Sequence, residues 1–253
     1  MKGNPDRAAW VKGGDACCTT QSPPRQRPHR FVLLGAPGVG KGTQAELLAE
    51  RFGACHLSTG DIFRAAKTLS KCGCTPNMAR ALSYMNGGQL VPDETVLSLV
   101  TERAKCLHCG GGFLLDGFPR TVAQADALEK LLTERGIELD AVLSYELPLQ
   151  LIVTRIGGRR VCPNCKRVFH IEAMPPDRPG ICDDCGSELF QRQDDRPEAI
   201  RVRMAAYEKS TLPLTDLYRQ KGLLLSIPAE STPAETFQRT LEALEIQKRL
   251  RTW

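Results

Sequence analysis

The sequence lacks a long apolar run, a strong charge of either sign and a secretory signal. Its apolar stretches fall far short of the ~18 residues that a helix needs to cross a bilayer. The formal net charge is only +5, which suits small polyanionic substrates but does not argue for nucleic acid. We therefore expect neither a membrane segment nor a nucleic-acid partner.

The first 29 residues show no regular spacing of apolar side chains. They contain Gly13-Gly14, Pro23-Pro24 and Pro28 among several Lys and Arg residues. They also lack the apolar core of a secretory signal. We predict that residues 1–29 form a disordered leader.

The rest of the chain has the composition of a globular protein, and its 253 residues suffice for one α/β domain with insertions. Strands are predicted at 30–35, 112–117, 141–146 and 223–227. Helices are predicted at 41–52, 60–70, 76–87, 92–105, 121–135, 149–158, 197–220 and 233–249. This alternation predicts a parallel sheet covered on both faces, with ligands at the carboxyl ends of its strands.

A glycine-rich segment follows the first strand and reads Gly35-Ala36-Pro37-Gly38-Val39-Gly40-Lys41-Gly42-Thr43. Glycines leave backbone N–H groups open to a phosphate, and the helix that begins near Lys41 points its positive end at the same anion. Lys41 adds a full charge, and the Thr43 hydroxyl lies within reach of phosphate or Mg²⁺. The general phosphate-loop pattern has no residue between Lys and Ser or Thr, whereas Gly42 intervenes here. The segment indicates nucleotide phosphates but not the reaction.

Three motifs in order resemble adenylate kinase: the glycine-rich segment with its Gly42, Ser58-Thr59-Gly60-Asp61, and Leu115-Asp116-Gly117-Phe118-Pro119-Arg120-Thr121. Gly158-Arg159-Arg160, a cysteine-rich insert and Arg192-Gln193-Asp194-Asp195 are similar to the long-lid type of that family. The resemblance covers residues 30 to about 245. It implies an α/β P-loop nucleoside monophosphate kinase fold. The implied core is 30–58, 92–158 and 197–253, the AMP-binding arm 59–91 and the lid 159–196.

The resemblance implies reversible transfer of the terminal phosphoryl group from MgATP to AMP, which gives two ADP and serves adenine nucleotide homeostasis. Such a transfer spreads negative charge over phosphate oxygens, and the arginine fork matches those oxygens. The resemblance further implies a monomer in the cytoplasm, and a lid that excludes water when it closes over ATP.

The resemblance also implies roles for individual residues. ATP would be bound by Gly38, Val39, Gly40, Lys41, Gly42, Thr43, Arg155 and Arg159. AMP would be bound by Thr59, Arg64, Gln89, Leu90, Val91, Gly117, Phe118, Pro119, Arg120, Gln124, Arg192 and Arg203. The catalytic residues would be Lys41, Arg120, Arg155, Arg159, Arg192 and Arg203, with Asp116 as a holder of hydrated Mg²⁺.

The insert carries a cysteine pattern typical of a zinc site. Cys162-Pro163-Asn164-Cys165 is followed, after sixteen residues, by Cys182-Asp183-Asp184-Cys185. Four thiolates would fill a tetrahedral shell, so the zinc would be structural and would replace the core that the insert lacks. Family members with the long lid often bind zinc here. Two disulfides, or thiols without metal, are the alternatives.

Seven further cysteines lie outside the insert. Cys72 and Cys74, with Cys106 and Cys109, raise the hypothesis of a second metal site to which His108 would add a ligand. C-x-C is a poor chelating spacing, so we expect free or loop-packed thiols there. Cys55 has no neighbouring cysteine in the sequence and is expected to stay alone.

Three other functions remain open from the residues. Two are a kinase for UMP or CMP and an AMP kinase that uses GTP. Thr59 favours AMP over the pyrimidine nucleotides, because pyrimidine-directed relatives tend to carry a smaller residue there. A non-enzymatic zinc module is disfavoured because Lys41, Arg120 and Arg159 are all present.

Overall fold

A five-stranded parallel sheet forms the centre of the protein in this computed structural model. The structure describes Trp10, residues 27–66 and residues 76–251, without the side chains of 64–66, 76–80 and 250–251. The strands of this sheet are β1 (His29–Gly35), β2 (Cys55–Ser58), β3 (Gly112–Asp116), β4 (Ala141–Glu146) and β7 (Leu224–Pro228). A separate antiparallel pair consists of β5 (Arg159–Val161) and β6 (Val168–His170).

The helices fill the intervals between the strands. They are α1 (Lys41–Phe52), α2 (Thr59–Ala66), α3 (Pro76–Asn86), α4 (Asp93–Glu102), α5 (Val122–Thr133), α6 (Leu149–Gly157), α7 (Pro197–Ala206), α8 (Pro213–Gln220) and α9 (Pro233–Arg251). Short 3-10 turns cover Ala104–His108 and Gln193–Asp195. No helix within the described part of the chain is both long and apolar enough to cross a membrane.

The strand order β2–β3–β1–β4–β7 brings the predicted motifs to one edge of the sheet. Asp116 at the end of β3 pairs in register with Ser58 on one side and Leu33 on the other. The glycine-rich segment therefore leaves β1 beside the end of β3, and β2 ends on the other side of β3. This arrangement confirms the predicted α/β fold.

Both faces of the sheet are covered by apolar packing. Val32 and Leu34 of β1 belong to one buried cluster, whereas Phe31 and Leu33 belong to another on the opposite face. Successive strand residues point to opposite faces, so a continuous apolar strand is stable only when helices cover both. Burial of each such side chain contributes about 1.5–3 kcal/mol.

The single helix predicted at 197–220 is wrong in its middle. The structure has α7 and α8 separated by a π-turn at Tyr207–Thr211, where the Leu212 N–H donates to the Tyr207 carbonyl at 2.8 Å. Pro213 explains the break. It has no N–H to donate, and its ring displaces the preceding turn of an α-helix.

Part of the predicted leader is ordered, since the structure describes Trp10 and residues 27–29. Trp10 is fully buried, and its indole Nε1 donates to the Ser58 carbonyl at 2.9 Å. The prediction of disorder is therefore wrong at Trp10, and β1 already begins at His29. Residues 1–9 and 11–26 lie outside the described residues, so the leader stays a prediction there.

The cysteines outside the lid differ from expectation. Cys55 and Cys109 form a disulfide between the start of β2 and the turn before β3, across a sequence separation of 54 residues. Cys55 is thus not alone, and Cys109 is not a thiol. Cys106, which is close to Cys109 in the sequence, is buried and is not part of this disulfide. The disulfide removes Cys109 from the hypothesised second metal site, and Cys72 and Cys74 lie outside the described residues.

Candidate functional site

The glycine-rich segment forms a tight loop between β1 and α1. Gly40 precedes the helix with a φ of 101°, a left-handed conformation that suits glycine. Gly38 has a φ of 79°, and a Cβ on it would lie 2.3 Å from the Ile156 side chain. The loop therefore packs closely against α6 while it leaves the N-terminal N–H groups of α1 open to an anion.

Lys41 lies at the first position of α1 and turns back over the loop. Its Nζ donates to the carbonyls of Gly35 at 2.8 Å and Ala36 at 2.9 Å. Burial lowers the pKa of Lys41 to about 7; Asp116 opposes that shift, and Arg120, Arg203 and Arg159 add to it. Burial thus opposes the ammonium form of Lys41 near neutral pH, whereas a bound anion would favour that form.

Asp116 ends β3 beside His56 of β2. The His56 Nε2 lies 3.4 Å from the Asp116 Oδ2. Burial acts to raise the pKa of Asp116, but the hydrogen bond and charge of His56, with Lys41 and Arg120, hold that pKa well below its usual range. Asp116 is therefore an ionised carboxylate, as a holder of hydrated Mg²⁺ must be. His56 was not singled out from the sequence, where no motif marked it.

The predicted acceptor site is built around the turn that follows Asp116. The Gly117 carbonyl accepts hydrogen bonds from the Thr59 hydroxyl at 3.0 Å and from the Arg120 Nε at 2.8 Å. The Phe118–Pro119 peptide bond within the turn is cis. Gly117 has a φ of 80°, which favours glycine, and a Cβ on it would lie 2.9 Å from the Thr59 Oγ1 and displace that hydroxyl.

Gln124 supports this turn from α5. Its Oε1 accepts from the Arg120 N–H at 2.8 Å, and its Nε2 donates to Asp93 Oδ1 at 2.6 Å. Both ends of the amide are therefore bound to the protein, and Gln124 is buried. AMP contact by Gln124 stays a prediction, while its support of Arg120 is observed. Asp93 was not singled out from the sequence.

Asp195 brings two of the predicted arginines together. Its carboxylate is completely buried, binds Arg159 through both oxygens, and accepts from the Arg203 Nη1 at 3.2 Å. Arg203 also pairs with Asp194 at 3.0 Å. A bidentate pair between a guanidinium and a carboxylate fixes the plane of the guanidinium group, as it does for Arg159. Asp195 stood in a quoted motif but was given no role, because its partners are distant in sequence.

Arg155 lies in the last turn of α6, where its Nη2 reaches the carbonyls of Glu230 at 3.3 Å and Ser231 at 3.4 Å. Burial lowers the pKa of Arg155 from its ordinary value. The segment at 230–231 joins β7 to α9. Arg155 is therefore held at the rim of the glycine loop.

A cavity of about 1480 Å³ lies between the glycine loop and the cysteine-rich insert. The predicted residues that line it are Gly38, Val39, Gly40, Lys41, Gly42, Thr43, Asp116, Gly117, Arg120, Arg155, Arg159, Cys162, Arg192 and Arg203. Leu90 and Pro119 line a small adjoining cavity of about 70 Å³. Gln89, Val91, Phe118, Thr59 and Gln124 line neither cavity, and the Arg64 side chain lies outside the described part of the chain.

The four insert cysteines converge beside this cavity. Their four sulfur atoms all lie within 4.8 Å of one another. The Cys162 Sγ is 3.4 Å from the Cys185 Sγ, and the Cys165 Sγ is 3.5 Å from the Cys182 Sγ. A disulfide requires ~2.05 Å, so the alternative of two disulfides is wrong. A tetrahedron of thiolates ~2.3 Å from zinc has edges of ~3.8 Å, which these separations fit.

The insert has almost no core of its own. Its buried cluster consists of Cys162, Phe169, Cys182 and Leu189. Two of these four are themselves candidate metal ligands. Thiolates gathered in so small a core agree with the expectation that a metal would replace apolar packing there.

The chain is similar to a known family over most of its length. A family model described as adenylate kinase matches residues 33–223. A protein named adenylate kinase from Caldicellulosiruptor bescii is 48% identical over 219 residues, which are 86% of this chain and all of that protein. A second protein named adenylate kinase, from Streptomyces coelicolor, is 48% identical over 85% of this chain and 98% of the length of that protein. A third protein of that name, from Clostridium perfringens, is 45% identical over 87% of this chain and the full length of that protein.

The lowered pKa of Lys41 predicts proton uptake when a triphosphate binds. At about pH 8 the free amine is mostly neutral, whereas an anion in the loop favours the ammonium. Calorimetry with a non-hydrolysable ATP analogue and excess Mg²⁺, in buffers of different ionisation enthalpy, should show uptake approaching one proton. The affinity should fall as the pH rises above 7. Uptake that persists unchanged in Lys41→Met would contradict this assignment.

Proposed function

This chain belongs to the adenylate kinase family and transfers a phosphoryl group between ATP and AMP, and we propose that the transfer takes place in the cavity between the glycine loop and the insert. The supporting observation is the convergence of Lys41, Asp116 and six arginines, five of them predicted, on that one cavity. Lining by so many fixed cations suits a reaction whose charge lies on phosphate oxygens. We further propose the bounds of the arm as 59–91 and of the lid as 159–196.

The donor side is the glycine loop. Backbone N–H groups from Gly38 to Thr43 would bind the outer phosphates of ATP, and Lys41 would exchange its two carbonyl partners for phosphate oxygens. Mg²⁺ accompanies ATP in this family and supplies charge neutralisation across the phosphate oxygens. The ionised Asp116 is the residue that would hold its hydration shell.

The acceptor side is the turn at Gly117–Arg120 with Thr59. Arg120 would bind the AMP phosphate, because its Nε is already fixed on the Gly117 carbonyl and its backbone is fixed by Gln124. Thr59 Oγ1 and Arg120 share that carbonyl, so the base-side and phosphate-side contacts would be built on one peptide. The remaining predicted contacts, Arg64 and Gln89 to Val91 among them, rest on the family resemblance.

The transferring phosphoryl group would lie between the two sides, against Arg159 and Arg203. Asp195 holds both guanidinium groups through hydrogen bonds to its carboxylate. Arginines fixed in this way need little reorganisation during the reaction, which is the main source of electrostatic catalysis. Arg155 and Arg192 would contact the nucleotides from the rim of the same cavity.

The insert would act as a lid stiffened by zinc. Arg159 lies at its start and Arg192 near its end, so its closure over ATP would bring both arginines toward the phosphates and exclude water that would otherwise hydrolyse ATP. Zinc on Cys162, Cys165, Cys182 and Cys185 would hold the lid tip without touching substrate. The family resemblance supports a monomer in the cytoplasm, which the elution volume and fractionation of the full chain would test.

Loss of the Arg159 fork should abolish most of the activity. In a coupled assay with ATP and AMP, we expect Arg159→Met to lower kcat by about 10²–10³-fold, because the transition-state charge loses a fixed partner. Arg160→Met is the matched control, since the Arg160 guanidinium contacts only carbonyls of Gly157 and Arg159 among the contacts of the described residues. Equal losses in the two variants would contradict the role of Arg159.

Assays of the wild type with GTP as donor, and with UMP or CMP as acceptor, should give a lower kcat/KM than assays with ATP and AMP.

The lid zinc should be structural. The full chain should contain zinc at the lid, and Cys165→Ala should lower both the zinc content and the melting temperature while some phosphoryl transfer remains. Glu172→Ala, an exposed lid position, serves as the control and should retain the zinc. If Cys165→Ala abolished transfer while zinc content and melting stayed unchanged, the structural role would be refuted.

A further inference from the structure

Trp10 comes from the part of the chain ahead of the kinase domain. The family model begins at residue 33, so Trp10 lies outside the region that carries the family resemblance. Yet it is fully buried in the apolar cluster that also contains Leu57, Ile62 and Phe63. Leu57 belongs to β2, and Ile62 and Phe63 belong to α2. Trp10 therefore packs where β2 passes into the proposed AMP-binding arm.

Trp10 is fixed at both its side chain and its backbone. Its Nε1 donates to the Ser58 carbonyl at 2.9 Å, and its own carbonyl accepts from the Arg103 Nε at 2.8 Å. Arg103 is only 7% exposed, and its Nη1 is bound by the Leu99 carbonyl at 3.2 Å and by Glu102 at 3.0 Å. A buried guanidinium with three oxygen partners is a rigid anchor. The indole is thus set in one place relative to β2.

The carbonyl that Trp10 binds is directly linked to the acceptor site. The Ser58 carbonyl and the Thr59 N–H belong to one planar peptide group, so an interaction that fixes the oxygen also fixes the start of the Thr59 backbone. Thr59 is the first residue of α2, and its hydroxyl donates to the Gly117 carbonyl at 3.0 Å. Arg120 donates to the same carbonyl. The chain of contacts from Trp10 therefore ends at the turn that would bind AMP.

We propose that Trp10 is a positioning residue for the AMP site, and that the segment ahead of the kinase domain thereby tunes AMP affinity. The inference rests on the proposed placement of AMP at Thr59 and Arg120. Trp10 does not touch the glycine loop in any hydrogen bond of the described residues, so ATP binding is not expected to depend on it. A residue that only fills the core would instead affect both substrates equally.

The test compares Trp10→Phe with the wild type in the full chain. Phenylalanine retains an aromatic ring in the cluster but removes the Nε1 donor, which leaves a buried carbonyl without that partner. We expect the KM for AMP to rise by about 3–10-fold, as the loss of one hydrogen bond implies, while the KM for ATP and kcat stay within about twofold. The matched control is Ile137→Val, which removes a methyl group from the same buried cluster and should lower the melting temperature with the KM for AMP unchanged.

The outcomes separate the inference from the proposed function. An unchanged KM for AMP in Trp10→Phe, or equal increases in both KM values, would overturn the role of Trp10. A wild type that forms no ADP from AMP would instead overturn the proposed function.

A second measurement covers the case in which Trp10→Phe does not fold. Trp10 and Trp253 are the two tryptophans of the chain, so Trp253→Phe leaves Trp10 as the one indole fluorophore. Its emission should change on saturation with AMP and not with a non-hydrolysable ATP analogue. An emission of Trp10 that does not change on saturation with AMP would overturn the proposal.

Discussion

Positive charge gathered in one cavity is the constraint on which the rest of the site depends. Lys41, Arg120, Arg155, Arg159, Arg192 and Arg203 line the same space. Two unit charges ~6 Å apart repel by ~3 kcal/mol at an effective dielectric constant of ~20, so such a group is unfavourable unless carboxylates offset it. Asp116 does so from the lining of the cavity, and the buried Asp195 does so through its ion pairs with Arg159 and Arg203; nucleotide phosphates would complete the balance. The lining of this cavity is thus suited to binding anions.

The parallel sheet supplies the rigid frame for these charges. Adjacent β1, β2 and β3 end at one edge, which places the glycine loop, Thr59 and Asp116 together without any long side chain. The lid supplies the opposite wall, and its fold depends on four sulfurs more than on apolar packing. The sheet is therefore stabilised by the burial of its apolar strands. The lid, as we propose, is stabilised by metal coordination.

Local patterns in the sequence were sufficient for the fold class, the glycine loop, the Asp116–Arg120 turn and the cysteine cluster, because each is set by residues close together in the chain. The pairings that were missed join distant residues. Asp195 binds Arg159 from 36 positions away, Trp10 binds Ser58 from 48, and Cys55 pairs with Cys109 from 54. Such contacts depend on how the elements pack, which periodicity does not encode. The break before Pro213 is different, since the proline itself marked it.

Asp195 orients Arg159 and Arg203 for the transfer through its buried carboxylate. The most direct test is the single-turnover rate of phosphoryl transfer in Asp195→Asn at saturating ATP and AMP. Asparagine keeps the size of the side chain but loses the charge and one acceptor for the Arg159 fork. We predict a rate at least about tenfold lower than that of the wild type, with both nucleotides still bound. A rate equal to that of the wild type would contradict the account.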